Sequence, residues 1–328
     1  MGLAERIQQA WRAQSAWLIV LRPLSWLYRG VFLLQQYQQQ KHAYRAPVPV
    51  IIIGNITVGG SGKTPLIIQL VKYLQQHQVK VGVISRGYGG QGPFPALVTA
   101  QSLPLAVGDE PTLIVQSTHV PMSVGANRQQ AIELLLQHHP DIQLILSDDG
   151  LQHFALQRDI EWVVVDAERG FGNGKLLPEG FLREPLSRLK TVTVIEHQAQ
   201  ARTTLNMHLA VGQPFCLGDH TQVFDVNQHY HAVVGIGYPE RFFQTLQQLH
   251  VKFTPCIFPD HHQYHVQDLQ DIRLPMITTS KDAVKLQQLY KAQPEQLQQI
   301  WVVPVEAVLS EQCYTQLKAQ LHALNIHL

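Results

Sequence analysis

A glycine-rich loop is the clearest chemical feature of this sequence. Before it, residues 48–53 form an apolar run rich in β-branched side chains, typical of a buried parallel strand. After it, apolar residues recur at helical spacing from Leu66. A strand, a glycine-rich loop and a helix in this order predict a P-loop, which binds nucleotide phosphates. The residues expected to contact the nucleotide here are Thr57, Val58, Gly59, Gly60, Ser61, Gly62, Lys63 and Thr64.

Each part of the loop has a chemical reason. Backbone N–H groups must turn inward around phosphate oxygens, and glycines leave the room for that because they carry no Cβ. Lys63 would reach the β- and γ-phosphates, and the Thr64 hydroxyl would ligate Mg²⁺. Thr57 stands where the strict G-x-x-x-x-G-K-[ST] pattern has its first glycine. The alternative at this point is a glycine-rich loop without a ligand.

A second candidate feature is a pair of adjacent carboxylates. Asp148 and Asp149 follow a short apolar run, residues 142–146, that predicts another strand. Two carboxylates this close raise the pKa of one of them unless a cation is present, so the pair favours a Mg²⁺ site beside the P-loop. A simple Asp-Asp-Gly turn is the alternative, and the spacing does not decide which aspartate would face the metal.

The elements that must position these residues alternate along the chain. Strand-like and helix-like runs follow one another, which predicts a parallel sheet with helices on both faces and ligands beyond the carboxyl ends of its strands. A second series of such runs begins near Phe215. We therefore expect an amino-terminal helical segment (1–45), a P-loop domain (46–214) and a smaller α/β domain (215–328) that closes the cleft.

Charge is distributed unevenly. The net charge of +1 argues against a strongly basic nucleic-acid-binding protein. Residues 1–45 nevertheless carry six Lys or Arg residues against Glu5 alone, together with Trp11, Trp17 and Trp26. The 3 cysteines are widely spaced and suggest neither a disulfide framework nor a zinc site.

The amino-terminal segment also holds two apolar runs, 16–21 and 31–34. Arg22, Pro23 and Arg29 interrupt them, so a clean membrane-spanning helix, which needs about 20 apolar residues, is not favoured. The pattern favours a helix in the membrane interface, with tryptophans at headgroup level and arginines near phosphates. An amphipathic helix packed on the body of the protein is the alternative.

Taken together and in order, the motifs resemble the tetraacyldisaccharide 4′-kinase family, the lipid A kinases of Gram-negative bacteria. The resemblance covers nearly the whole chain. The motifs that carry it are Gly54–Pro65, Ser85–Gly89, Val107–Pro111, Asp148–His153, Gly172–Gly174, Leu182–Pro185 and Thr279–Asp282.

The resemblance implies ATP-dependent phosphorylation of the 4′-hydroxyl of a lipid A disaccharide precursor. It implies work at the cytoplasmic face of the inner membrane. It also implies Thr64, Asp148, Asp149 and Gln152 around Mg²⁺. Asp109 matches the family's candidate base and His261 its partner, although His262 is an adjacent rival.

The chemistry of these residue types agrees with those roles. A carboxylate such as Asp109 can accept a sugar hydroxyl's proton late in phosphoryl transfer, and a histidine can orient it. A helix start at Asp109 and a surface turn at His261 are the alternatives. Lys281 and Asp282 are candidates for contact with the nucleotide base. The candidate contacts to acceptor phosphate or sugar are Arg86, Asn127, Arg128, Asn173 and Arg183.

Two other functions share these features. A membrane-associated regulatory P-loop NTPase would hydrolyse its nucleotide without an acceptor alcohol. A small-molecule kinase with a purely structural amino-terminal helix would be indifferent to lipid.

Overall fold

The computed structural model describes residues 3–198, 205–272 and 275–328. Two 3₁₀ helices span Ala16–Leu21 and Leu186–Thr191. The α-helices are α1 (Leu3–Arg12), α2 (Arg22–Lys41), α3 (Lys63–Gln76), α4 (Pro104–Val107), α5 (Asp109–Thr118), α6 (Arg128–His138), α7 (Pro239–Gln248), α8 (Val266–Leu269), α9 (Ser280–Leu289), α10 (Pro294–Leu297) and α11 (Glu311–His322). The strands are β1 (Val50–Gly54), β2 (Val81–Ser85), β3 (Ala96–Val98), β4 (Met122–Val124), β5 (Leu144–Asp148), β6 (Ile160–Asp166), β7 (Thr193–His197), β8 (Asn206–Val211), β9 (Phe215–Cys216), β10 (His229–Val234), β11 (Lys252–Ile257), β12 (Met276–Thr279), β13 (Ile300–Val303) and β14 (Val305–Leu309).

A large sheet positions the P-loop. Within the described residues it has nine strands in the order β14-β8-β7-β6-β1-β5-β2-β4-β3. The seven inner strands are parallel, which confirms the predicted parallel sheet. Strand β1 lies at the centre between β5 and β6, and Ile53 is paired with Asp148. The P-loop and the acidic pair therefore leave the same edge of the sheet side by side.

Helices cover both faces of this sheet. Every residue of β1 is buried, as expected for a parallel strand packed on two sides. Ile51 and Ile53 pack in one core with side chains from α3, α5 and α11. Val50 and Ile52 face the opposite core, which includes side chains from α6. Successive side chains of a strand point to opposite faces, so one apolar run builds both cores.

Antiparallel strands close both edges of the large sheet. β3 pairs with β4 at one edge, and β14 pairs with β8 at the other. The last strand and α11 thus return to the large sheet from the end of the chain. A division at residue 215 assigns this segment to the second unit, whereas its pairing and its core contacts lie in the first.

A second, smaller sheet follows in the chain. Within the described residues its order is β11-β10-β12-β13-β9, parallel except for the edge strand β9. Helix α7 contributes Phe242 and Leu246 to the core on one face, and α9 contributes Leu286 to the core on the other. This is the predicted second α/β unit.

The amino-terminal segment runs along the outside of the protein. Helix α1 is held by Trp11, whose indole N–H donates to the Pro178 carbonyl at 3.0 Å. Pro23 lies in the first turn of α2, where its missing N–H leaves no hydrogen bond unmade, so it begins the helix instead of breaking it. The helical stretch Ala16–Lys41 is long and apolar enough, by length and composition, to cross a membrane. Its most apolar window of residues has a mean hydropathy of 1.3, and 11% of that window is buried inside the protein.

Many apolar side chains of this segment face solvent. Val20 is 73% exposed, Trp26 68% and Leu27 64%. Exposed apolar surface of this kind is typical of sites that bind a partner protein or a membrane.

Candidate active site

The P-loop has the conformation that its glycines permit. It runs from the end of β1 to the start of α3 at Lys63, so the helix amino-terminus opens onto the loop. Gly59 and Gly62 have φ angles of +95° and +87°, in a region that side chains with a Cβ rarely adopt. Glycine adopts these angles without strain, so the loop can take the tight path that an anion-binding loop requires.

Asn55 braces this loop, and the sequence interpretation missed it. Its side chain is fully buried, and its Nδ2 donates to Ser61 Oγ at 3.1 Å, to the Gly59 carbonyl at 3.3 Å and to Thr57 Oγ1 at 3.4 Å. These contacts give Thr57 a role in place of the first glycine of the strict pattern, because its hydroxyl accepts a hydrogen bond from Asn55 and a glycine has no side-chain acceptor. A polar amide directly after a buried strand was the available signal.

Lys63 and Asp149 meet beside the loop. The Lys63 ammonium lies 3.4 Å from Asp149 Oδ1, and Arg183 Nη1 donates to the two Asp149 oxygens at 3.1 and 3.0 Å. Gln152 accepts from Arg183 at 3.1 Å and donates to Glu184 at 2.7 Å. Burial alone would raise the pKa of Asp149, but Lys63 and Arg183 lower it to about 2. Asp149 is thus an ionised anchor for two cations.

Asp148 has a different environment from Asp149. It is 1% exposed, and Ser85 Oγ donates to its Oδ2 at 3.1 Å. Its Oδ1 is buried without a hydrogen-bond partner in the part of the chain that the structure describes. Burial, with the nearby charges of Glu110 and Asp149, raises the pKa of Asp148 to about 7. A buried carboxylate oxygen without a hydrogen-bond partner is a suitable ligand for a cation, and Mg²⁺ prefers oxygen ligands of this kind.

The metal site would depend on few protein ligands. Among the described residues, no group of three or more His, Cys, Asp or Glu side chains could hold a metal. A P-loop magnesium ion is normally bound by one or two protein oxygens together with phosphate and water, so Thr64 and Asp148 are sufficient donors.

Asp109 and His261 are in contact, and His261 lines the same cavity as the P-loop. Both Asp109 oxygens lie 3.1 Å from His261 Nδ1, and His261 Nε2 lies 3.3 Å from Lys281 Nζ. Burial alone would raise the pKa of Asp109, but the hydrogen bond from His261 and the charges of Lys281 and Lys285 lower it to about 2. The pKa of His261 is raised, because its bond to Asp109 outweighs the effect of burial. Asp109 is also the first residue of α5, so the helix start and the contact with His261 coexist.

The structure separates His261 from His262. His261 lines the central cavity, with the ring of Tyr88 packed edge-on 5.1 Å away. The ring of His262 stacks on Phe258, and its Nε2 lies 3.0 Å from Asp268 Oδ2. His262 does not line the cavity, so the geometry favours His261 as the partner of Asp109.

Lys281 and Asp282 also differ in position. Lys281 lines the cavity. Asp282 is fully buried and accepts from the Gly235 N–H at 3.1 Å, from Thr279 at 2.9 Å and from Tyr264 at 3.1 Å. With its oxygens so engaged, Asp282 holds the start of α9 in place and is not brought to the cavity.

The five candidate contacts to the acceptor divide in the same way. Arg86, Arg128 and Arg183 line the cavity. Asn127 instead caps α6 by accepting from the Gln130 N–H at 3.2 Å. Asn173 donates to the Glu179 carbonyl at 2.8 Å and braces its own loop. The two asparagines therefore order loops and do not reach the cavity.

One cavity of about 1750 Å³ joins these groups. It is lined by residues of both α/β units and by α1 and α2 of the amino-terminal segment. The cavity is large enough for a nucleotide and part of a second substrate.

Known proteins with similar sequences support one family. The family model described as tetraacyldisaccharide-1-P 4′-kinase matches residues 17–322. The tetraacyldisaccharide 4′-kinase of Psychrobacter cryohalolentis is 49% identical over 99% of this chain and 98% of its own. That of Pasteurella multocida is 47% identical over 91% and 93%.

A solved structure supports the fold. The crystal structure of LpxK from Aquifex aeolicus in complex with ATP matches with a TM-score of 0.74 at 24% identity, covering 94% of this chain and 99% of that one. With the P-loop, the acidic segment and the Asp109–His261 pair around one cavity, the sequence matches leave one assignment: the chain belongs to the tetraacyldisaccharide-1-P 4′-kinase family.

Proposed function

We propose that the protein transfers the γ-phosphate of ATP to the 4′-hydroxyl of tetraacyldisaccharide 1-phosphate, the lipid A precursor. The observation that carries the proposal is that the P-loop and His261, which contacts Asp109, line one cavity in a chain of this family. A P-loop positions a phosphate donor, and a carboxylate–histidine pair suits an alcohol acceptor. A regulatory NTPase has no need of the second group.

The nucleotide side follows from the loop. ATP would place its β- and γ-phosphates against the loop N–H groups and Lys63. The LpxK structure with ATP supports this choice of donor. In phosphoryl transfer most of the catalysis is positioning and charge stabilisation, so these contacts account for the main part of the rate.

Mg²⁺ is the expected ion at this site. We assign Thr64 and Asp148 as its protein ligands, because Asp149 is already engaged with Lys63 and Arg183. Bound Mg²⁺ would neutralise negative charge on the phosphates. Gln152 holds Arg183 and Glu184 and acts one step away from the ion.

On the acceptor side, we assign base catalysis to Asp109 and His261 as a unit. Asp109 is 6% exposed and lies behind His261, which is the member of the pair at the cavity wall. Asp109 accepts from Nδ1–H and holds the ring, which leaves Nε2 directed toward Lys281 and the cavity. A proton that leaves the acceptor hydroxyl can be taken up by this pair.

The membrane side of the proposal rests on the exposed segment. The acceptor carries acyl chains. Apolar residues of α2 and of the preceding 3₁₀ helix are exposed to solvent, and α1 and α2 also line the cavity. We propose binding to the cytoplasmic face of the inner membrane, where such a substrate would be met without leaving the lipid phase.

One experiment tests the function. The purified protein is incubated with γ-labelled ATP, with and without the lipid disaccharide 1-phosphate, and the lipid fraction is analysed for label. Label in the lipid at the 4′-position is the expected result. ATP hydrolysis at the same rate with and without the lipid, and no labelled lipid, would favour the regulatory NTPase instead.

A further inference from the structure

Arg169 is a cationic residue beside the P-loop, and it has no part in the phosphoryl transfer proposed for Lys63, Asp148 and the Asp109–His261 pair. It follows β6, the strand next to β1, and so leaves the large sheet at the same edge as the P-loop. Its side chain lines the central cavity.

The turn that carries Arg169 is held by Asp166. The Arg169 backbone N–H donates to Asp166 Oδ1 at 3.1 Å, and the Gly170 N–H donates to the Asp166 carbonyl at 2.9 Å. Asp166 Oδ2 also lies 2.7 Å from Arg241 of α7. The carboxylate is therefore occupied by a backbone N–H and by another arginine.

The guanidinium itself packs between an aromatic ring and the P-loop. Its Cζ lies 4.5 Å from the centre of the Phe181 ring, and the Phe181 carbonyl accepts from the Val58 N–H at 2.9 Å. A Cβ placed on Gly59 would lie 2.9 Å from Arg169 Nη1. The guanidinium therefore lies directly against the backbone of the P-loop at Gly59.

This guanidinium lacks an anionic partner. In residues 3–198, 205–272 and 275–328, no acceptor forms a hydrogen bond with its side-chain nitrogens, whereas the neighbouring Arg12 and Arg241 pair with Glu240 and with Asp166 and Glu168. A planar guanidinium presents several N–H donors in a fork that matches phosphate oxygens. Stacking on Phe181 orders the group in advance, so less entropy is lost when an anion binds.

From these contacts we infer that Arg169 binds a phosphate group beside Gly59 of the P-loop. The inference rests on the proposed kinase function and adds a phosphate ligand to it. Two phosphates could occupy the position: the γ-phosphate of ATP, where the arginine would stabilise the charge of the transferred group, or the 1-phosphate of the acceptor.

Three variants separate charge from packing. R169M keeps an aliphatic chain on Phe181 and removes the charge, R169K keeps a charge without the fork, and R45A removes an arginine that pairs with Asp159 outside the cavity. Affinities for ATP and ADP are measured without acceptor by titration calorimetry, and kcat and KM are then measured for ATP, for the disaccharide 1-phosphate and for the same disaccharide without its 1-phosphate.

For a γ-phosphate contact, we expect R169M to lower kcat by about 100-fold, the usual cost of losing one charge-stabilising donor, and to weaken ATP binding more than ADP binding. For a contact with the acceptor 1-phosphate, nucleotide affinities stay unchanged and kcat/KM falls for the phosphorylated acceptor but not for the dephosphorylated one. In both cases R169K is intermediate and R45A behaves as wild type.

Wild-type kinetics and wild-type nucleotide affinities in R169M would overturn the inference. So would an equal loss in R169M and R169K with a lowered melting temperature, since that identifies a packing role. Failure of the kinase function would look different, because the wild-type protein would then label no lipid while the calorimetric comparison of ATP and ADP could still be made.

Discussion

At the scale of single residues, neighbouring side chains of similar chemistry have different environments. Asp149 is ionised and bound to two cations, while Asp148 is buried with one oxygen unpartnered. His261 faces the cavity, and His262 packs on Phe258. Spacing could not resolve the two doublets, because one lies at the end of a strand and the other in a turn, where the surrounding fold decides which side chain faces the cavity.

Lys63 provides the first test. We expect Lys63→Ala to lower kcat by about 100-fold or more, because the charge developing on the transferred phosphate loses its cation. Steady-state kinetics with the lipid acceptor measure this. Lys72→Ala, on the same helix and paired with Glu306, is the control. Near-normal turnover in Lys63→Ala would exclude the assigned role.

The Asp109–His261 pair predicts a pH effect on stability. The pKa of His261 is raised in the folded protein, so the pair's stabilisation is complete below the unfolded value of 6.5 and is lost as the pH rises through the folded value. We expect the unfolding free energy of wild type to exceed that of Asp109→Asn by more at pH 6 than at pH 9. Urea titrations of both proteins at the two pH values test this. An equal difference at both would show that the pair does not hold the proton.

The same residues predict a kinetic pattern. Asp109→Ala and His261→Ala should each lower kcat strongly with little effect on ATP affinity, because neither residue belongs to the P-loop. His262→Ala is the matched control and should keep most of its turnover. Loss in His262→Ala but not in His261→Ala would reverse the assignment.

At the scale of elements, the site is assembled where chain segments begin and end. Lys63 and Asp109 are the first residues of α3 and α5, and Asp148 is the last residue of β5. The strand–loop–helix order predicted the first of these. The start of α5 at Asp109 was one of the alternatives that the sequence left open. The edge strands β3 and β14 were not predicted, because their short sequences carry no period of their own and form strands only through pairing.

Gly62 tests the conformation of the P-loop. Its φ of +87° is unfavourable for any residue with a Cβ, and an added Cβ would lie 2.8 Å from Met207 Cε. We expect Gly62→Ala to lower the unfolding free energy of the nucleotide-free protein by about 1–3 kcal/mol. Gly60→Ala, where a Cβ meets nothing within 4 Å, should unfold as wild type does. Equal stability of both variants would contradict the positive φ at Gly62.

At the scale of the whole molecule, the amino-terminal segment contacts both α/β units. Trp11 joins α1 to the first unit, Arg12 Nη1 lies 3.4 Å from Glu240 of α7, and both residues line the cavity. The segment that carries the exposed apolar surface is thus also a wall of the cavity. Such an arrangement suits an acceptor whose acyl chains stay in lipid while its sugar enters the site.

Membrane binding is tested on that surface. Trp26→Glu replaces an apolar side chain that is 68% exposed with a negatively charged one, and we expect it to reduce co-sedimentation with anionic vesicles. Gln38→Glu introduces the same charge at the polar end of the same helix and should reduce binding much less. Equal binding of wild type and Trp26→Glu would show that this face does not enter the interface. Circular dichroism of both variants checks that α2 is intact.

The sequence by itself determined the elements with strong local signals and the candidate residues of the site. The P-loop, the acidic pair and the cationic amino-terminal segment follow from residue types at fixed spacing, and local chemistry decides them. Only the tertiary structure decided which of these side chains meet. The Asp109–His261 contact joins residues 152 positions apart, and the Gly235 N–H that donates to Asp282 is 47 positions away in the chain. The reason is physical, since a buried polar group must find a partner and the fold alone determines which partners are within reach.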